Sequence, residues 1–180
     1  MGRSPISRLI ANAWLQVTTQ APGWTSQQTG MVRTDSSGRF TYQIQPGPSR
    51  TITFAFPGTS TLRGASASTT VRVAGRGTIT AGKIARAGQK LRLSGRVLGG
   101  YIPPGGTLIQ LQYRVAGYPE GWAPFDVLVR SRRGGRWSTT ITLPRNAANF
   151  TYMIRAVISP QNGWPWAGAV TNVVTRHVLG

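Results

Sequence analysis

Two stretches of the chain, 97 residues apart, read almost alike: Val32-Arg-Thr-Asp-Ser-Ser-Gly-Arg-Phe-Thr41 and Val129-Arg-Ser-Arg-Arg-Gly-Gly-Arg-Trp-Ser138. Each carries an extended run, a glycine turn, an arginine, an aromatic residue and a hydroxyl residue. The likeness continues on both sides. Upstream, Gly23-Trp24 matches Gly121-Trp122; downstream, Arg50-Thr-Ile-Thr-Phe-Ala-Phe56 matches Phe150-Thr-Tyr-Met-Ile-Arg-Ala156. Both copies end in a Val-rich run, Thr69–Val73 and Thr171–Thr175. Several segments matching in the same order point to one supersecondary unit used twice. A chain of 180 residues is then two small modules rather than one large domain.

The segments between glycines and prolines say what the unit is made of. Twenty-three Gly and 12 Pro interrupt the chain too often for helices of useful length. Short alternating runs rich in Val, Ile, Thr and aromatics predict strands near 13–18, 30–34, 39–45, 50–56 and 67–73, then 77–81, 89–97, 107–115, 125–131, 136–143, 149–158 and 169–178. Many short strands at this spacing predict an all-β antiparallel sandwich. The second copy has two strands, 77–81 and 89–97, ahead of the one near Thr107, whose counterparts in the first copy fall before or near residue 1. The expected organisation is a partial sandwich over 1–75 and a complete one over 76–180, joined at Val73-Ala-Gly-Arg-Gly77 with little slack. A sandwich without its opening strands has unpaired edges and an uncovered core face. The simplest expectation is a piece of a longer repeat protein whose remainder is the first partner; a separate partner supplying the strands is the alternative.

The most specific local motif is Thr34-Asp-Ser-Ser-Gly-Arg-Phe40. Asp35 can accept hydrogen bonds from main-chain N–H groups just downstream, Gly38 tolerates a positive φ, and Phe40 is expected to return to the core. A lone carboxylate does not hold calcium, so a turn is the better reading of Asp35. The second copy keeps glycine in Arg132-Arg133-Gly134-Gly135 and has no Asp. The loop Leu98–Thr107 holds six Gly and Pro residues but no Gly-Lys-Ser/Thr ending and no following helix, so it predicts a connection between sheets, not a phosphate cradle. The run Val32–Val73 followed by Leu91–Gln112 resembles the tandem bacterial Ig-like repeats of actinobacterial secreted and surface proteins. The Thr-Asp-x-x-Gly-x-Phe turn at 34–40 is also similar to carboxypeptidase regulatory-like modules. The resemblance implies an extracellular, non-catalytic array of two Ig-like antiparallel β-sandwich modules, and transfers no functional residues.

Charge bears on partners. The chain has 21 basic and 3 acidic residues, a net charge of +18. Only Lys83 and Lys90 are lysines, and the arginines are spread almost evenly except at Arg130, Arg132, Arg133 and Arg136. Arginine grips phosphate and carboxylate bidentately, so polyanions are attracted at low salt. An even spread matches compositional bias better than a built groove, so no specific nucleic acid is expected. With no cysteine there is no disulfide and no thiolate metal site. No run approaches the ~20 apolar residues of a membrane span. The N-terminus is basic but lacks the apolar core of a signal peptide, so any export signal is expected upstream.

Catalysis needs titratable groups that meet. The acids are Asp35, Glu120 and Asp126, and His177 is the single imidazole. Glu120 and Asp126 match a glycosidase pair in residue type only, since loop acids are common and these modules rarely form deep clefts. No enzyme, no metal and no cofactor are expected. Aromatics on strands are expected in cores, but Trp122, Trp164 and Trp166 flank loops, and Gly163-Trp-Pro-Trp-Ala167 offers two indoles to a sugar ring or, alternatively, a lid over the sandwich end. The leading expectation is a non-catalytic spacer or adhesion-type module of an exported or cell-surface protein. The alternative is a carbohydrate or cell-wall polyanion binder using Trp122, Trp164 and Trp166 with Arg130, Arg132, Arg133 and Arg136.

Overall fold

The computed structural model describes residues 9–180; the basic run Met1–Arg8, with Arg3, Arg8 and the segment weighed as an export signal, lies outside the described residues. The chain is all-β and divides into two compact units, Met1–Val71 and Arg72–Gly180.

Among the described residues of the first unit the strands are β1 (Trp14–Gln20), β2 (Gln28–Arg33), β3 (Arg50–Phe56) and β4 (Ala65–Val71). They form one antiparallel sheet in the order β2-β1-β3-β4. Alternation puts Leu15 and Val17 of β1, Val32 of β2, and Ile52 and Phe54 of β3 on one face, through the pairs Leu15↔Val32 and Val17↔Phe54. Among the described residues of this unit only Val17, Ala21 and Ile52 are buried apolar residues. Residues Leu9–Ala13 are held against the 34–38 turn by Thr34, whose buried hydroxyl donates to the Ile10 carbonyl at 2.7 Å and accepts from the Ala13 N–H at 2.9 Å.

The second unit contains β5 (Arg76–Ala81), β6 (Ala85–Arg86), β7 (Lys90–Leu98), β8 (Leu108–Val115), β9 (Ala123–Arg130), β10 (Arg136–Thr142), β11 (Thr151–Ile158), β12 (Ala169–Val170) and β13 (Val174–Leu179). One sheet runs β10-β7-β5; the other runs β6-β13-β11-β8-β9, with β12 also on β11. Their facing residues make one core: Ile79, Leu91, Leu93, Val97, Trp137 and Ile141 from the first sheet meet Ile109, Leu111, Val129, Ile154, Ile158 and Val178 from the second. Fully burying side chains of this size contributes about 1.5–3 kcal/mol each before entropy is counted. The edge is closed by polar groups. Asn172 accepts from the Ile79 N–H and donates to the Ile79 carbonyl, both at 3.0 Å, and Arg176 donates to the carbonyls of Ala81 and Gly82.

Most predicted strands form within a residue or two of their expected bounds, with three differences. The segment 39–45, expected as a strand, crosses the apolar face of the first sheet as irregular chain, with Phe40 and Tyr42 packed on Phe54 at ring separations of 4.9 and 5.7 Å. Phe40 therefore does not return to an enclosed core; it is 39% exposed. The last expected strand is interrupted at 171–173, where the Thr171 hydroxyl accepts the Ala156 N–H at 3.0 Å. The two-residue β6, paired in parallel with β13, is too short to leave a periodic signal.

Candidate functional site

A concentration of like charge forms on the outer face of the β10-β7-β5 sheet. In β7 the alternation Lys90-Leu91-Arg92-Leu93 buries the leucines and turns the cations outward. The register then sets Arg96 opposite Arg136, and Arg92 opposite Thr140. Arg92, Arg96, Arg132 and Arg136 line one shallow depression with Thr80, Ser94 and Ser138, over the edge of buried Trp137. Arg96 is fixed by donating from Nε to the Gly134 carbonyl at 3.0 Å. Like charges directly across a strand pair are unfavourable. The three acids of the chain stand on other elements: Asp35 in the first unit, Glu120 in the loop before β9, and Asp126 on β9. The face is therefore an uncompensated cationic strip with hydroxyl donors between the guanidinium groups, suited to a phosphate- or carboxylate-bearing polymer.

The predicted residues separate around this face. Arg132 and Arg136 belong to it. Arg130 points to the Gly105 carbonyl, donating at 2.9 Å, and Arg133 is exposed in the 3-10 turn Arg133–Gly135. Arg92 and Arg96 carry no signal of their own in the sequence, because only strand register brings them beside residues some 40 positions later. Trp122 stands on the other sheet, with the Arg155 and Arg114 guanidinium groups 4.1 and 5.2 Å from its ring and Arg155 held by Gln112 at 2.9 Å. Trp164 must be withdrawn as a ligand platform: it is 2% exposed and forms part of the core, against Gly75, where a Cβ would lie 2.8 Å from its ring. Trp166 is half-buried on the same core, with Gly99 left bare of a side chain beneath its indole. The Trp-Pro-Trp loop folds inward, and the three tryptophans form no common surface.

A second, more apolar cleft opens at the end of β8 and β11, lined by Tyr113, Tyr118, Phe150 and Tyr152 with Glu120 and Asn146. Tyr118 is exposed and meets Phe150 edge-on at 5.7 Å. Burial, and then the neighbouring Tyr113, hold the Tyr152 phenol above its ordinary pKa. Asp126 does not line this cleft, so Glu120 has no second carboxylate there. Asp35 accepts from the Ser37 N–H and hydroxyl at 2.8 and 2.7 Å and from the Arg39 N–H at 2.9 Å. These bonds, that from Arg39 foremost, hold its carboxyl below the usual range. His177 contacts the Thr151 hydroxyl at 3.3 Å. Among the described residues no group of three or more His, Cys, Asp or Glu side chains comes together to hold a metal. No protein-family model matches the chain, and no curated protein matches it.

Proposed function

We propose that this chain is a non-catalytic spacer or adhesion-type repeat segment of an exported or cell-surface protein, built from two Ig-like β-sandwich modules. One observation carries the reading: the two units pair their strands in the same register. Trp14↔Arg33, Leu15↔Val32 and Gln16↔Met31 in the first unit correspond to Leu108↔Arg130, Ile109↔Val129 and Gln110↔Leu128 in the second. The sheet order β2-β1-β3-β4 reappears as β9-β8-β11-β13. The turn is shared as well. Asp35 N–H donates to the Arg39 carbonyl at 2.7 Å, as Arg132 N–H does to Arg136. The Thr34 hydroxyl accepts the Ala13 N–H at 2.9 Å, as that of Ser131 does for Thr107. In β3 and β11 the register aligns Phe54 with Ala156 and Ile52 with Ile154, two places from the match read in the sequence. The division of the second unit into β5-β7-β10 and β13-β11-β8-β9 follows the A-B-E and G-F-C-C′ strands of an Ig-like sandwich. Protease shaving of intact cells of the source organism tests the location. Peptides of this chain are expected in the released fraction; their confinement to the cytosol would sink the proposal.

A second reading, binding of an anionic cell-wall polymer, is favoured by the Arg92–Arg96–Arg132–Arg136 strip. Pull-down with purified cell wall over a salt series checks it. The triple change Arg92→Gln, Arg96→Gln, Arg136→Gln is expected to weaken retention at least about tenfold while sparing the fold. Equal retention of the variant and the parent chain would remove this reading.

A further inference from the structure

The outer face of the β10-β7-β5 sheet has a period as well as a charge. Along β7 the outward positions are Lys90, Arg92, Ser94 and Arg96, while Leu91, Leu93 and Val97 between them are buried. Alternate residues of an antiparallel strand stand about 6.8 Å apart on one face, so the four side chains form a row of equal steps about 20 Å long. Three of the four positions carry a cation. The remaining one, Ser94, is flanked by two further hydroxyls. The register sets Ser138 of β10 and Thr80 of β5 on either side of it, and the Thr80 and Ser94 hydroxyl oxygens lie 3.0 Å apart. At the end of the row Arg96 is doubled by Arg136 across the strand pair and steadied by its bond to the Gly134 carbonyl.

Each position suits one phosphate. Arginine forks onto two phosphate oxygens, lysine meets them as a point charge, and serine and threonine hydroxyls donate to them. The spacing then selects the polymer. Two residues of a strand contain six backbone bonds; a chain of three-carbon units linked by phosphodiesters also repeats after six, so it advances by about 7 Å per charge when extended. Strand and polymer keep step along the whole row. A carboxylate polymer carries its charge on rings or on flexible side chains, whose ordering costs entropy.

A single nucleic-acid strand shares the six-bond repeat, but this face does not suit its bases. Single strands are held by aromatic side chains on which the bases stack. Trp137 is the one aromatic residue of β5, β7 and β10, and it is buried. Hydroxyls stand between the cations instead, and these pair with the hydroxyls of a polyol.

We infer that this row is a binding site for an extended polyol-phosphate strand, lying along β7 with one phosphate at each of Lys90, Arg92, Ser94 and Arg96. This rests on the polyanion reading of the strip and adds to it the class of polymer and its register.

An end-labelled oligomer of glycerol phosphate long enough to span the row is titrated with the full chain, and fluorescence anisotropy is followed over a salt series. Oligothymidylate and oligoglutamate of equal charge are the comparisons. The glycerol-phosphate oligomer is expected to bind at least about tenfold tighter than either, with log K falling against log salt at a slope of about −2, from three cationic positions at about −0.7 each. The double variant Arg92→Thr, Thr142→Arg moves one cation out of the row to the β10 position opposite Lys90, at unchanged net charge. Both positions are exposed, so the fold is kept. This variant is expected to lose at least about fivefold in affinity for glycerol phosphate and nothing for oligoglutamate. Equal affinity for the three oligomers, or undiminished affinity of the double variant, overturns the row and leaves only a charged strip that attracts any polyanion. Tighter binding of oligothymidylate makes the partner a nucleic acid and overturns it as well. Binding of none of the three at low salt removes the polyanion reading together with the row.

Discussion

At single residues, what decides a role is the neighbour that the fold brings, and two residues make the point testable. Asp35 is exposed, but three donors converge on its carboxylate and lower its pKa from 3.8. A group whose pKa falls on folding stabilises the native state above its unfolded pKa, and that contribution drains away as pH falls through the folded value. Asp35→Ala is therefore expected to lower the melting temperature of the first unit at neutral pH, with the gap to the parent chain closing as pH drops from about 4 toward 2. Melts across that range check this; a gap independent of pH would show that the turn needs no carboxylate charge. Trp164 behaves in the opposite way. Its loop of Gly and Pro advertises exposure, while its indole is sealed in the core beside Gly75. Trp164→Ala should cost the second unit about 3–5 kcal/mol in denaturant unfolding followed by near-UV circular dichroism. A loss under about 1 kcal/mol would return the residue to the surface and to the candidate ligand contacts.

At the scale of elements, the order of the strands is written in pairings that no local pattern carries. β4 shows this. All of Ala65–Thr70 is exposed, the strand pairs only with β3 among the described residues, and neither charge nor proline interrupts Ala65–Val71. Its equivalent in the sheet order, β13, has β6 on its outer side. An unguarded edge is a template for another strand. The chain is expected to self-associate reversibly at high concentration, and Thr70→Lys, on the polar face opposite Thr51, should suppress this without changing stability by more than about 0.5 kcal/mol. Sedimentation velocity over a concentration series decides it; identical association of both proteins would clear β4. The same logic separates what is legible in the sequence from what is not. Runs such as Thr151–Ile158 announce themselves because every second residue faces a core. Phe40–Gln45 has the pattern without the strand, because alternation by itself supplies no neighbour to take up the main-chain groups. Arg92 and Arg96 read as scattered charge in one dimension and become neighbours of Arg136 only when β7 lies beside β10. Arg132 and Arg136 are visible as a cluster, but Arg130 and Arg133, inside the same four-residue signal, turn to other surroundings.

For the molecule as a whole, the two units differ most in how much they bury. The second encloses a cluster of nineteen buried apolar residues between two sheets, whereas three are buried among the described residues of the first. Apolar burial is the main term offsetting chain entropy, so a unit that buries so few apolar side chains among its described residues starts far behind a closed pair of sheets. Calorimetry should accordingly show two transitions, the lower belonging to the first unit. Ile52→Ala, which empties a fully buried site in β3, should shift only the lower one. Leu93→Ala, at the centre of β7, should shift only the upper one, each by about 2–5 kcal/mol. A single transition moved by both substitutions would mean that the units unfold as one.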